Sequence, residues 1–269
     1  MKKCMTTLLF FVVFLLGLGL LLFPTISDYW NTLHQSKVIS EYEAAADELD
    51  GTEYTKWLAD AEKYNDDLRR GHAFSADVYD RLLDVSGNGI MGYIEIPAID
   101  VSLAVYHGTD ESVLQIAAGH IERSSLPIGG EGTHSVLTAH RGLPSAKLFT
   151  NLDKLVNGDR FHVRVLDERL TYEVDQVEVV LPHEVDALQI EAGKDLCTLV
   201  TCTPYSVNSH RLLVRGRRIE NEPDVRVIDI SADAGHFHPL VISVPLIVLL
   251  FILIQIFRRA RSSASVFGR

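Results

Sequence analysis

Three residues in this chain have the types and spacing of a nucleophilic site. Cys202 closes the run from Leu196 to Thr201, whose apolar and β-branched residues have the composition of a buried strand. Residues 203–209 (TPYSVNS) are turn chemistry, with Pro204 setting φ and the Ser and Asn side chains satisfying a tight loop. Residues 211–215 (RLLVR) read as a returning strand. A strand, a loop and an antiparallel strand place Cys202 beside Arg211. Far upstream, His140 ends another apolar run, Ser135 to His140. A cysteine attacks as its thiolate, which a nearby cation favours. An arginine stays charged and holds an oxyanion. By residue type and spacing alone, a cysteine ending a buried strand is more often an inert core thiol, so both readings stand at this point.

The strands that must position these groups also sort their neighbours, because side chains alternate between faces. Arg215 shares the face of Arg211, and His134 shares that of His140. His210 points the other way from Arg211. Cys197 lies five residues before Cys202, roughly 16 Å away along an extended strand. That is too far for a disulfide, and the parity puts the two thiols on opposite faces. With three cysteines, neither a disulfide framework nor a CxxC or His-rich metal spacing is visible. Cys197 is expected in the core, and no metal or cofactor is expected.

Several stretches carry a resemblance. Residues 198–202 (TLVTC) match the TLxTC signature of sortases, Arg211 stands where sortases carry their active-site arginine, and His140 lies within residues 137–142 (LTAHRG). Residues 125–149 and 210–216 (HRLLVRG) resemble class C, the pilin-polymerising sortases. The resemblance covers roughly 90–218. It implies Cys202 as nucleophile, His140 as general acid and base, and Arg211 as the group that steadies an oxyanion or the substrate backbone. Thr201 and Thr138 are expected to line the substrate groove, Thr201 alternatively to orient Cys202. His134 is expected to be structural, and Arg141 structural or at the rim of the site. The implied reaction cleaves an LPxTG-like signal through a thioester and joins pilin precursors through isopeptide bonds to a lysine. A housekeeping sortase acting on peptidoglycan, a cysteine hydrolase and a non-catalytic surface scaffold are the competing readings.

Period-two runs at 91–97, 101–106, 161–166 and 172–180, punctuated by turn signals, argue for a β-sandwich or barrel. The resemblance selects an eight-stranded barrel, a mainly β fold with an N-terminal helical prefix, spanning 90–220. In the prefix, 26–89, residues 41–49 and 54–64 read as helices broken at 50–52, and Trp57, Ala61 and Tyr64 fall on one face. Class C sortases carry a lid after such helices. Here Phe74 is the candidate aromatic, while His72 and Ala73 stand where an Asp and a Pro are expected.

Residues 8–25 are apolar over nearly the length a bilayer requires and read as a retained anchor, with a cleaved signal peptide as the competing reading. The bulky residues 22–25 (LFPT) offer no small-residue cleavage site and favour the anchor. Residues 239–257 form a second apolar stretch, after a polar tether at 221–238. Lys2 and Lys3 precede the first, and Arg258, Arg259 and Arg261 follow the second. Both termini (1–7 and 258–269) therefore read as cytoplasmic, with the catalytic domain outside and a transmembrane helix at each end. The formal net charge is −11, and these flanking cations leave the middle more acidic still. That argues against a nucleic acid partner, which needs a basic face.

Overall fold

The computed structural model describes residues 2–72 and 76–221, together with Val248. Phe74 and, Val248 apart, the C-terminal apolar stretch at 239–257 lie outside the described residues. Eight strands close a barrel: β1 (Ile90–Ile96), β2 (Val101–His107), β3 (Ala118–His120), β4 (Thr133–Thr138), β5 (Arg160–Val165), β6 (Glu168–Val180), β7 (Asp195–Thr203) and β8 (His210–Ile219). Their order around the barrel is β1-β2-β3-β4-β7-β8-β6-β5. Pairing is antiparallel except for β2 with β3 and β4 with β7. The expected barrel is thus present. The short β3 had no periodic signature in the sequence, since a three-residue strand carries no readable alternation.

The barrel interior is filled from the inward positions of these strands: Ile94, Leu103, Leu137, Phe161, Val163, Tyr172, Leu199 and Val214 are buried there. Gly216 shows how tightly. A Cβ at that position would stand 2.6 Å from the Phe161 ring and 2.8 Å from Tyr172, two rings stacked at 5.5 Å. The absent side chain makes room for the stacked pair.

Two helices precede the barrel. The first, α1 (Lys2–Asp47), is longer than expected: the apolar run and residues 41–47, read from sequence as separate segments, belong to one helix with Pro24 inside it. A proline there removes one backbone hydrogen bond, and the helix continues regardless. Its N-terminal part is long and apolar enough to cross a membrane.

From Val38 onward α1 packs on the outside of β1 and β2, where Val38, Ile39 and Tyr42 meet Ile90, Tyr93 and Ala104. That cover buries β1 on both faces, although its sequence alternates like a half-exposed strand. Polar clamps fix the contact. The Gln35 amide donates to the Ile116 carbonyl at 2.9 Å and accepts the Ala104 N–H at 2.8 Å. The Tyr42 hydroxyl donates to the Met91 carbonyl at 3.0 Å and accepts the Leu166 N–H at 2.9 Å.

The second helix, α2 (Gly51–Arg69), starts at an Asp50–Glu53 capping box, which satisfies the otherwise orphaned N-terminal N–H groups. The expected face is the buried one: Ala61 and Tyr64 are in the core and Trp57 packs against it. Asn65 holds residue 126 through both its backbone groups.

A short helix, α3 (Ala76–Tyr79), follows. Tyr79 closes a buried polar network with its hydroxyl 2.8 Å from His120 Nδ1. His120 Nε2 lies 2.8 Å from the Ser125 carbonyl, so the neutral ring donates from Nε2 and accepts at Nδ1. Burial pulls the His120 imidazole down to about 4.

Two outcomes are expected. Tyr42→Phe leaves two buried backbone groups without their partner and costs about 1–3 kcal/mol, read as a lower denaturation midpoint. His120 is held below the ~6.5 of an unfolded histidine. The unfolded chain then binds more protons, and stability present above ~6.5 is lost as pH falls toward 4. Comparing His120→Gln with the parent in thermal melts across that window checks this: the variant's slope should be flatter.

Candidate active site

Parallel pairing of β4 with β7 aims the C-terminal ends of both strands at one edge of the barrel. Their register runs from Thr133↔Asp195 to Thr138↔Val200. Two steps further along the same register bring His140 level with Cys202. The link continues past the last ladder pair, because the Ala139 N–H donates to the Val200 carbonyl at 3.2 Å. The Thr138 hydroxyl donates to that same carbonyl at 3.1 Å, and the Thr201 hydroxyl donates to the Ala139 carbonyl at 2.8 Å. On the other side, β7 and β8 pair antiparallel with Cys202 directly opposite Arg211. Side chains directly opposite stand about 4.5–5.5 Å apart at Cβ. The three expected residues therefore lie on three adjacent chain segments at one end of the barrel.

Alternation settles the face. Leu137, Cys197, Leu199 and Leu212 point into the core, so Thr138, His140, Cys202 and Arg211 point outward. Cys202 is partly exposed, whereas Cys197 is fully buried, and both are free thiols. Burial pushes the Cys197 thiol far above the ordinary range, which makes it inert. Thr201, expected in the groove, is instead 1% exposed. It has the inward parity of β7, and its hydroxyl ties that strand to the residue preceding His140.

Arg211 folds its guanidinium toward its own loop, with Nη1 donating to the carbonyls of Asn208 and His210 at 3.3 and 3.1 Å. Arg215, on the same face, is committed elsewhere: it pairs with Asp175 and Glu191. That leaves Arg211 as the arginine on β8 that stands opposite Cys202 in the strand register.

His140 has Nε2 3.5 Å from Glu111 Oε2. Glu111 lies on a four-residue helix, α4 (Glu111–Leu114), in the β2–β3 connection. No sequence signal marks this residue, because the contact exists only once β3 pairs with β4. Arg141, the residue after His140, ties neighbouring loops together. It forms an ion pair with Asp153, donates to the Thr203 hydroxyl at 3.3 Å and lies over the Tyr205 ring. It thereby joins the loop after His140 to the loop after Cys202. His72 is exposed and sits 3.1 Å from Asp67 of α2.

The outward face extends away from the reacting end as an apolar floor of Val136, Val200 and Leu213. The β6–β7 connection, 181–194, lays Ala187 and Leu188 against it. Beyond, a cavity of about 970 Å³ has a mixed lining, with Ile121, Val136 and Leu188 beside the charged Arg69, Glu122 and Arg123. A thiol at the end of an apolar, partly walled face suits an extended peptide delivered to a nucleophile.

A family model for the sortase domain matches residues 94–219. The structure of sortase C1 from Streptococcus agalactiae is 47% identical, with a TM-score of 0.67, covering 69% of this chain and all of that one. The chain belongs to the sortase family. A second solved relative, the sortase C of Streptococcus pneumoniae, is 43% identical with a TM-score of 0.64 and covers 70% of this chain and 100% of its own. These neighbours bear out the class C resemblance. Among curated relatives, sortase D of Bacillus subtilis (strain 168) is 28% identical over 131 residues, 48% of this chain. The match spans 63% of that relative's length.

In this sortase, Thr201→Val keeps the side-chain shape and removes the tie to Ala139. The expected outcome is a stability loss of about 1 kcal/mol, with kcat falling while KM holds, because the thiol and the imidazole lose register. Steady-state kinetics beside a thermal melt check this.

Proposed function

We propose that the protein is a membrane-anchored cysteine transpeptidase that polymerises pilin subunits. The carrying observation is the register: Cys202 pairs opposite Arg211 across β7 and β8, and β4, which leads to His140, pairs with β7 on its other side. The Cys202 thiolate attacks the threonine carbonyl of an LPxTG-like signal. Arg211 steadies the oxyanion or the substrate backbone. The tetrahedral species collapses to a thioester, the Thr–Gly bond breaks, and His140 protonates the departing amine. A lysine amine of the next subunit then attacks the thioester, giving an isopeptide bond and returning the thiol. The thioester splits one difficult exchange into two steps and stays reactive toward amines. Pilins are the proposed substrates because the Streptococcus pneumoniae sortase C has pilin substrate specificity.

The layout that serves this function has an anchor at 8–25, a helical prefix at 26–89 with Phe74 as lid candidate, and the catalytic barrel at 90–220. A tether at 221–238 and a second span at 239–257 follow. The lysines before the first span and the arginines after the second support cytoplasmic termini and an extracellular barrel.

The test is an LPxTG peptide incubated with the protein and read by intact mass spectrometry. An acyl adduct is expected, and it should vanish in Cys202→Ala. Absence of any adduct in the parent protein would overturn the reading. Arg211→Lys keeps the charge and loses the fork. Its kcat/KM for peptide cleavage is expected to fall about a hundredfold, in line with loss of one oxyanion donor.

A further inference from the structure

The outward face of β4, β7 and β8 carries a second polar cluster that the chemistry of Cys202, His140 and Arg211 does not use. Its centre is His134, six residues before His140 on the same face and 1% exposed. Its Nδ1 lies 2.8 Å from the Gln189 carbonyl and its Nε2 lies 2.7 Å from the Thr198 hydroxyl. A neutral ring protonated at Nδ1 serves both, donating to the carbonyl and accepting from the hydroxyl. Burial, the largest influence on this group, lowers its proton affinity and favours that neutral ring.

Arg215 stands beside it. Its Nε and Nη2 grip the two oxygens of Asp175 at 2.9 and 3.0 Å, and its Nη1 reaches Glu191 Oε1 at 3.0 Å. Asp175 is the extra residue where the β6–β8 register shifts between Val174 and Gln176. The bulge re-aims its side chain to meet Arg215. Glu191 also pairs with Lys194.

Gln189 and Glu191 are not barrel residues. Both belong to the 181–194 connection, the segment that lays Ala187 and Leu188 over the apolar floor leading to Cys202. The two fastenings therefore fall just after the part of the loop that forms the wall. Fourteen residues held mainly by Ala187 and Leu188 would be costly to order. A buried histidine and a bidentate arginine remove that cost before any peptide arrives.

We propose that His134 and Arg215 are positioning residues that hold the 181–194 loop as a preformed wall of the sorting-signal groove. The proposal rests on the reading that the signal lies along this face. A wall already seated favours binding, because the peptide need not order it. The reacting groups lie at the other end of the face, so chemistry on bound peptide is largely independent of the latch.

The experiment uses the full chain in detergent, with Arg215→Met, Glu191→Gln, His134→Ala and His134→Gln. Three quantities are read: cleavage of a fluorogenic LPxTG peptide, the rate of Cys202 alkylation by iodoacetamide, and amide hydrogen exchange across 184–191. Arg215→Met is expected to raise KM about tenfold, the scale of one lost charge-assisted hydrogen bond. It should leave kcat and the alkylation rate close to the parent, and speed exchange across 184–191. His134→Gln, whose amide both donates and accepts, should recover most of what His134→Ala loses. Glu191→Gln, on the loop surface, carries the same test if Arg215→Met does not fold. Unchanged exchange and unchanged KM in a folded variant would overturn the proposal, as would a fall in kcat at constant KM. If the parent protein cleaves no sorting peptide, the groove reading fails instead, and the exchange measurement still decides whether the latch holds the loop.

Discussion

Everything at the site depends on the parallel pairing of β4 with β7. Had these strands run antiparallel, the ends bearing His140 and Cys202 would lie at opposite rims of the barrel. Parallel neighbours cannot be joined by a tight hairpin, and here the connection contains β5 and β6, which close the other side of the barrel. The chain thus completes its barrel before returning to set Cys202 beside His140. Arg211 then follows from a local hairpin.

The outer surface of this barrel does unequal work. Over β1 and β2 it is covered by α1, whose Val38, Ile39 and Tyr42 make the exterior as apolar as the interior. Over β4, β7 and β8 the cover is partial: two residues of a loop sit on three apolar floor positions. Partial cover leaves room for a ligand, and it leaves the loop with too little apolar contact to hold itself. The polar ties from His134 and Arg215 to the loop supply what the hydrophobic contact does not. A buried polar group is costly unless fully partnered, and His134 has a partner at each ring nitrogen.

The histidines illustrate how one residue type is divided by environment. His120 and His134 are buried with both ring nitrogens near partners, and burial favours their neutral form. His140 keeps part of its ring exposed next to a carboxylate. The same division separates the cysteines, Cys197 sealed in the core and Cys202 open at the rim. In each pair the sequence spacing is short, and strand alternation or strand length makes the difference.

Much of the site was legible in the sequence because it depends on local rules. Strand–loop–strand spacing fixes Cys202 opposite Arg211, and alternation sends Cys197 inward. The helical face of Trp57, Ala61 and Tyr64 follows from a 3.6-residue period, and these features hold whatever packs around them. Other features needed the third dimension. Glu111 meets His140 only because β3 inserts between β2 and β4, an event of three residues without periodicity. The position of Thr201 beside Cys202 is compatible with lining the groove or with orienting the thiol, and the parity of β7 decides between them by turning it inward to Ala139. Arg215 shares its parity with Arg211, and only the bulge at Asp175 and the path of the 181–194 loop decide that it clamps a wall. Parity and spacing are properties of a segment, so the sequence determines them alone. Which segments become neighbours depends on non-local pairing and burial, and that was decided by the tertiary structure.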